Sequence, residues 1–180
     1  RRRGAGMVGG ARQRHPLPRD SLPILDREGI PVGVVENLQG ISWQRVTLSG
    51  TANHAGTTPT ALRHDAGFVA AQVVTFLREL AARSNGTTVA TVGTLRLEPD
   101  AINVIPARAI FTVDLRDPDE ARLRAAEAAL AAHLAQSAEA EGVGVETERL
   151  ARFEPVIFDA GIVAAIEDCA RGRALPFRRI

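Results

Sequence analysis

A chain of 180 residues, 45% hydrophobic and 24% charged, is long enough for one folded domain with a real core, and it reads as soluble and globular. A formal net charge of +1 makes no global case for nucleic acid, and Cys169 as the only cysteine excludes a disulfide within the chain. No apolar run approaches a membrane span, so neither nucleic acid nor membrane is expected as a partner and the cytoplasm is the expected compartment. All 22 basic residues are arginine, which reads as coding bias rather than chemistry.

Residues 1–21 do not look like a folded element. Arg1, Arg2, Arg3, Arg12, Arg14 and Arg19 stand with a single acid, Asp20, among Gly and Pro, and no apolar period runs through them. The apolar core of a secretory signal is missing. The segment is read as a basic arm, disordered or translated out of frame. Residues 22–40 form a linker, with Leu22-Pro23-Ile24-Leu25-Asp26 near its start and Leu38-Gln39-Gly40 at its end.

Ile41–Ser49 is a strand in which Trp43, Val46 and Leu48 are apolar. Its alternation slips near Arg45, which predicts a bulge or two differently buried ends. The loop Gly50-Thr51-Ala52-Asn53-His54-Ala55-Gly56-Thr57-Thr58-Pro59 follows. Pro59 suits a first helical position and a preceding Thr suits a cap, so His54 is expected beside a helix N-terminus, where the macrodipole favours anions. That helix is expected from about Pro59 to Arg83, with Leu62, Ala66, Val69, Val73, Leu77 and Leu80 at helical spacing and Asn85-Gly86 as its stop.

Thr87–Leu97 reads as the second strand and Ala107–Arg116 as the third, the latter alternating Ala109, Phe111, Val113 and Leu115 against Ile110, Thr112, Asp114 and Arg116. Asp117 is the expected cap of the next helix, with Pro118 at its first position and Glu120 reaching back. This Ala-rich helix runs to about Glu141 with Leu123, Leu130 and Leu134 inward, Gly142 ends it, and Val143–Leu150 is the fourth strand. Strand, helix, strand, strand, helix, strand predicts an α+β, ferredoxin-like βαββαβ unit: a four-stranded antiparallel sheet with two helices on one face. The uncovered face makes self-association plausible. Beyond Pro155 a further helix is expected over Ala160–Arg173, with Cys169 as a packing residue on its apolar side.

The string Gly50–Pro59 followed by Arg63-His64-Asp65-Ala66 closely resembles the signature of the hydantoinase/carbamoylase group of metal-dependent amidohydrolases. That group includes N-carbamoyl-L-amino acid hydrolases, allantoate amidohydrolases and β-ureidopropionases, within the aminoacylase-like zinc peptidase superfamily. Ile102-Asn103-Val104-Ile105-Pro106, Phe111–Arg116 and the passage Leu22–Val35 match as well, so the resemblance covers about Leu22–Ile180. Where relatives carry His-Ile-Glu-Gln, with a metal-binding histidine, this chain reads Pro18-Arg19-Asp20-Ser21, which is why the first residues are read as non-native.

The resemblance implies that residues 41–152 are the dimerisation (lid) domain, pairing as a homodimer, and that residues 22–40 and 153–180 are remnants of a catalytic domain. It implies that His54 stabilises the tetrahedral intermediate in the neighbouring subunit's site, and that Asn103 and Arg116 contact a small anionic substrate, the arginine by its carboxylate. Two divalent metal ions, zinc or manganese, are expected in the full-length family, with a glutamate as general base. In this chain no metal ligands are expected: His15, His54, His64 and His133 form no ligand pair, and His64 and His133 are read as structural or exposed. The resulting expectation is a truncated amidohydrolase acting on N-carbamoyl or ureido C–N bonds, inactive by itself. The alternative is a non-catalytic ferredoxin-like module that dimerises or binds a small carboxylate.

Overall fold

The computed structural model describes residues 23–84 and 86–180, with nothing stated of the Pro23 and Ile24 side chains. The expected basic arm over residues 1–21, His15 within it, and Asn85 lie outside the described residues. The chain divides into two compact units, Glu36–Asp159 and a smaller one in which residues up to Val35 join Ala160–Ile180.

In the smaller unit, α1 (Pro23–Glu28) leads into β1 (Val32–Val34), which pairs in parallel with the C-terminal strand Phe177–Arg179. Between them in sequence lies the helix Ala160–Gly172, whose buried positions are Val163, Glu167 and Ala170. Cys169 is exposed, contrary to its expected packing role, because the helix turns the stripe one residue away from it. Glu167 is buried but ion-paired with Arg171 and Arg179, which hold its carboxyl below the ordinary range, Arg179 foremost.

The larger unit opens with β2 (Asn37–Leu38), β3 (Gly40–Ser49), a 3-10 turn (Thr60–Leu62) and α2 (Ala66–Arg83). It continues through β4 (Val89–Glu98), β5 (Arg108–Asp117), α3 (Glu120–Glu141), β6 (Gly144–Phe153) and β7 (Val156–Ile157). The helix and strand of the smaller unit's C-terminal segment are α4 and β8. Four strands form one antiparallel sheet in the order β4-β5-β3-β6. Ala109, Phe111, Val113 and Leu115 of β5 and Val46 and Leu48 of β3 point to one face, as period-2 alternation requires. There they meet Val69, Val73 and Leu77 of α2 and Leu123, Leu130 and Leu134 of α3 in a single core.

Three local readings are corrected. First, the alternation of β3 does not slip: Ser42, Val46 and Leu48 are buried while Trp43 points to the bare face, 41% exposed. The irregularity belongs to the partner strand, where Leu150 is the extra residue opposite the Trp43–Gln44 step. Second, α2 starts at Ala66 rather than Pro59, because the Asp65 side chain accepts the Gly67 and Phe68 amides; Leu62, placed on the helix stripe, is 66% exposed. Third, Asp119 caps α3, and Asp117 is instead a fully buried strand residue. Its carboxylate accepts from the Thr88 hydroxyl at 2.6 Å, the Asp119 amide at 2.8 Å and Arg122 Nε at 3.1 Å. Gly142 ends α3 as expected, with φ +67°, and a Cβ there would lie 2.5 Å from His64 Nδ1.

Candidate functional site

The loop after β3 is anchored at both ends by backbone. Gly50 donates to Ala107 O at 2.7 Å and Thr51 to His64 O at 3.0 Å. A Cβ at Gly50 would sit 2.0 Å from that same His64 oxygen, so only glycine fits where the two strands of chain touch. His64 in turn places Nδ1 2.9 Å from the Glu141 carbonyl, tying the loop's second end to the last turn of α3.

His54 and Asn103 are brought together. His54 forms an isolated antiparallel bridge with Val104, Ala55 donates to Asn103 O at 2.9 Å, and Ile105 donates to Asn53 O at 2.8 Å. Both residues are exposed, and Ile102 beside Asn103 stands wholly in solvent. The imidazole is oriented from within its own turn: the Gly56 amide donates to His54 Nδ1 at 3.1 Å, which leaves Nε2–H as the donor of the neutral ring. Arg63 braces that turn, donating from Nε to Thr58 O at 3.1 Å and from Nη2 to Ala55 O at 2.8 Å. Because α2 begins at Ala66 and Thr60–Leu62 is only a 3-10 turn, the α-helix start expected at Pro59, on which the macrodipole reading rested, is not formed there.

Arg116 is placed elsewhere. It lies on the bare face of the sheet opposite Ile41, at the other end of β5 from Arg108, which pairs with Ser49. Eight steps of antiparallel strand separate those ends by about 27 Å. Its Nε donates to both Asp114 oxygens (3.0 and 3.1 Å) and Nη2 to Oδ2 at 2.8 Å. This hydrogen bonding raises the guanidinium pKa above its ordinary value. Asp114 thus occupies one edge of the fork and leaves the Nη1–Nη2 edge for a second carboxylate.

Sequence reasoning placed Asp114 and Arg116 on one face but gave Asp114 no role, although an i, i+2 acid and arginine on a strand is a readable signal. Arg63 was visible in the signature string without a reason for being there. His133 is stacked on Phe76, ring centroids 4.2 Å apart, as a structural side chain. Among the described residues no three His, Cys, Asp or Glu side chains converge as metal ligands.

A family model described as a peptidase dimerisation domain matches residues 37–141. N-carbamoyl-L-amino-acid amidohydrolase of Rhizobium meliloti is 35% identical over 148 residues, covering 82% of this chain. The chain belongs to the hydantoinase/carbamoylase family of amidohydrolases. Allantoate amidohydrolase of Escherichia coli (strain K12) is 30% identical over 155 residues, 86% of this chain. The crystal structure of a hydantoinase/carbamoylase family amidase from Burkholderia vietnamiensis superposes with a TM-score of 0.84 at 37% identity, over 88% of this chain and 38% of that one. This family member spans 36% and 38% of the lengths of the two curated relatives. No described helix is long and apolar enough to cross a membrane.

Proposed function

We propose that this chain supplies the ferredoxin-like dimerisation and substrate-clamping domain of a cytoplasmic amidohydrolase that cleaves N-carbamoyl or ureido C–N bonds. In this reading residues 41–152 pair two copies as a homodimer, and residues 22–40 and 153–180 belong to the catalytic domain. The pair of divalent ions, zinc or manganese, expected of such an enzyme finds no ligand set among the described residues. The chemistry assigned to this chain therefore involves only its own side chains: Arg116 holds the substrate carboxylate, and His54 Nε2–H, helped by Asn103, donates to the oxygen that becomes negative in the tetrahedral intermediate.

The observation that carries this reading is the sheet-length separation of Arg116 from His54 and Asn103. No amino-acid-sized ligand spans about 27 Å, so all three residues serve one substrate only when two copies contribute. Symmetry then makes two equivalent sites, each with Arg116 from one copy and His54 and Asn103 from the other. The surface supports pairing: β4 is an edge strand, and α2 beside it exposes Phe68 and Val74.

Transplanting residues 36–159 into the Rhizobium meliloti amidohydrolase, in place of its matching domain, tests the assignment. His54→Ala and Arg116→Ala chimeras are each expected to be inactive on N-carbamoyl amino acids. Mixed and re-paired, they should recover about a quarter of the parental activity, since half the dimers are mixed and each mixed dimer has one intact site. Mixed dimers that stay inactive would rule out the shared site and leave the chain as a carboxylate-binding or pairing module.

A further inference from the structure

The bare sheet face carries a groove of about 270 Å³ between Trp43 of β3, Gly93 of β4, Thr112 and Asp114 of β5 and Leu150 of β6. Against the ~30 Å³ share of one water, it has room for a phenyl ring or a branched aliphatic chain. Two irregularities shape it. Gly93 is the extra residue where the β4–β5 register shifts between Val92 and Thr94, and Leu150 is the extra residue of β6 at the level of Trp43. Each bulge bends an outer strand at the same height of the sheet. The missing side chain at Gly93 keeps one wall open: a Cβ there would face Thr112 Oγ1 at 3.3 Å.

Trp43 is paired directly with Asp114, and Arg116 is its diagonal neighbour on the same face. Such diagonal positions are about 7–8 Å apart, within reach of long and aromatic side chains. Arg116 does not itself line the groove, but Asp114 does and holds the guanidinium at 2.8 Å, which puts the head of Arg116 at the Asp114 end of the groove. A ligand whose carboxylate is held there sets an α-substituent within reach of the indole. Elsewhere on this face Arg45 and Glu148 pair at 2.6 Å, Thr47 lies between strands, and Ile41, Val89, Ile110 and Phe153 add apolar surface; Trp43 and Leu150 are the exposed apolar residues that wall the groove itself.

We infer that the Trp43–Leu150 groove is the side-chain subsite of the ligand held by Arg116, selecting N-carbamoyl amino acids with a bulky apolar side chain over carboxylates that lack one. The inference rests on the reading of Arg116 as the carboxylate-binding residue. Trp43 and the Gly93 bulge set specificity, Arg116 sets anchoring, and a doubly ureido or side-chain-free acid leaves the groove empty.

Trp43 is the only tryptophan in the chain, so its emission reports the groove directly. The 180-residue chain is titrated with N-carbamoyl-L-phenylalanine and N-carbamoylglycine, with affinities from equilibrium dialysis and occupancy from fluorescence. N-carbamoyl-L-phenylalanine is expected to bind about tenfold more tightly, equivalent to about 1.4 kcal/mol, and to shift Trp43 emission saturably. Gly93→Leu, which fills the groove and keeps the fluorophore, should abolish that preference and leave N-carbamoylglycine affinity unchanged; Arg116→Gln should weaken both ligands alike.

Equal affinities with no emission change, while Arg116→Gln still weakens both, overturn the subsite and leave the arginine reading standing. Ligands indifferent to Arg116→Gln overturn the arginine reading and the subsite with it. Absence of binding by either acid overturns both.

Discussion

Arg63 is assigned no contact with substrate, yet two carbonyls of the His54 turn close on its guanidinium. Hydrogen bonds to a charged donor contribute roughly 1.5–3 kcal/mol each at a half-buried site, and Lys cannot reproduce the fork that reaches both. Arg63→Ala is therefore expected to loosen the turn selectively. The Gly56 amide, which holds His54 Nδ1, should exchange with solvent about tenfold faster, while amides of the sheet stay protected. Nitrogen shifts of the imidazole should move from a single Nε2–H tautomer toward a mixture. Unchanged Gly56 exchange in Arg63→Ala would mean the turn is held by backbone alone. Sequence alone offered the residue types at this turn but not their relation, because the brace depends on where the chain folds back eight residues later.

At the scale of elements, Asp117 joins β4, β5 and the start of α3. Burial pushes its carboxyl pKa up, but the Thr88 hydroxyl, the Asp119 amide and Arg122 outweigh burial and hold it below the ordinary carboxylate value. A folded pKa below the unfolded one means stability that is present above about pH 4 and lost as the pH falls through the folded value. The midpoint of thermal unfolding should accordingly fall below pH 4 in the parent and much less in Asp117→Asn. Asp117→Ala strands the Thr88 hydroxyl and Arg122 and should cost about 2–3 kcal/mol in urea unfolding. Gly142→Ala meets both a left-handed backbone and the His64 ring, for an expected loss of at least about 1 kcal/mol. A stability equal to the parent's would show that His64 is free to move away from α3.

For the molecule as a whole, the buried core cluster lies between Val46 and Val143, inside the unit Glu36–Asp159. A chain of residues 36–159 should therefore unfold cooperatively by itself, with an unfolding midpoint close to that of the same signal in the 180-residue chain. A broad, non-cooperative transition would contradict an independent core. Sedimentation of that piece should give twice the monomer mass at micromolar concentration if the homodimer forms through this domain. Charge substitutions on the exposed face of α2, such as Phe68→Asp, should return it to monomer and remove the concentration dependence of its unfolding midpoint.

How far the chain could be read in advance depended on whether a feature is local. The four long strands, the two helices packed on them and the Gly142 stop were legible because period-2 and period-3.6 patterns and a left-handed glycine are properties of short stretches. That Ala109, Phe111, Val113 and Leu115 share one face was legible for the same reason, and the signature around His54 carried the family. What failed was decided by competition between nearby alternatives. Pro59 and Asp65 both offer a helix start, and Asp65 prevails because its carboxylate is free to take two amides. Asp117 and Asp119 both offer a cap, and burial against Thr88 claims the first. The slip read into β3 near Arg45 comes from the apolar Trp43 at an odd position, which the strand sends to the bare face. The amino-acid sequence by itself thus determined the long strands and helices, their order and the family, since these follow from local periodicity and motif, but not α1, nor the short strands β1, β2, β7 and β8, which depend on pairing with distant chain. Only tertiary structure decided that His54 and Asn103 sit at one end of the sheet and Arg116 at the other, because strand register and length, not spacing along the chain, set those distances.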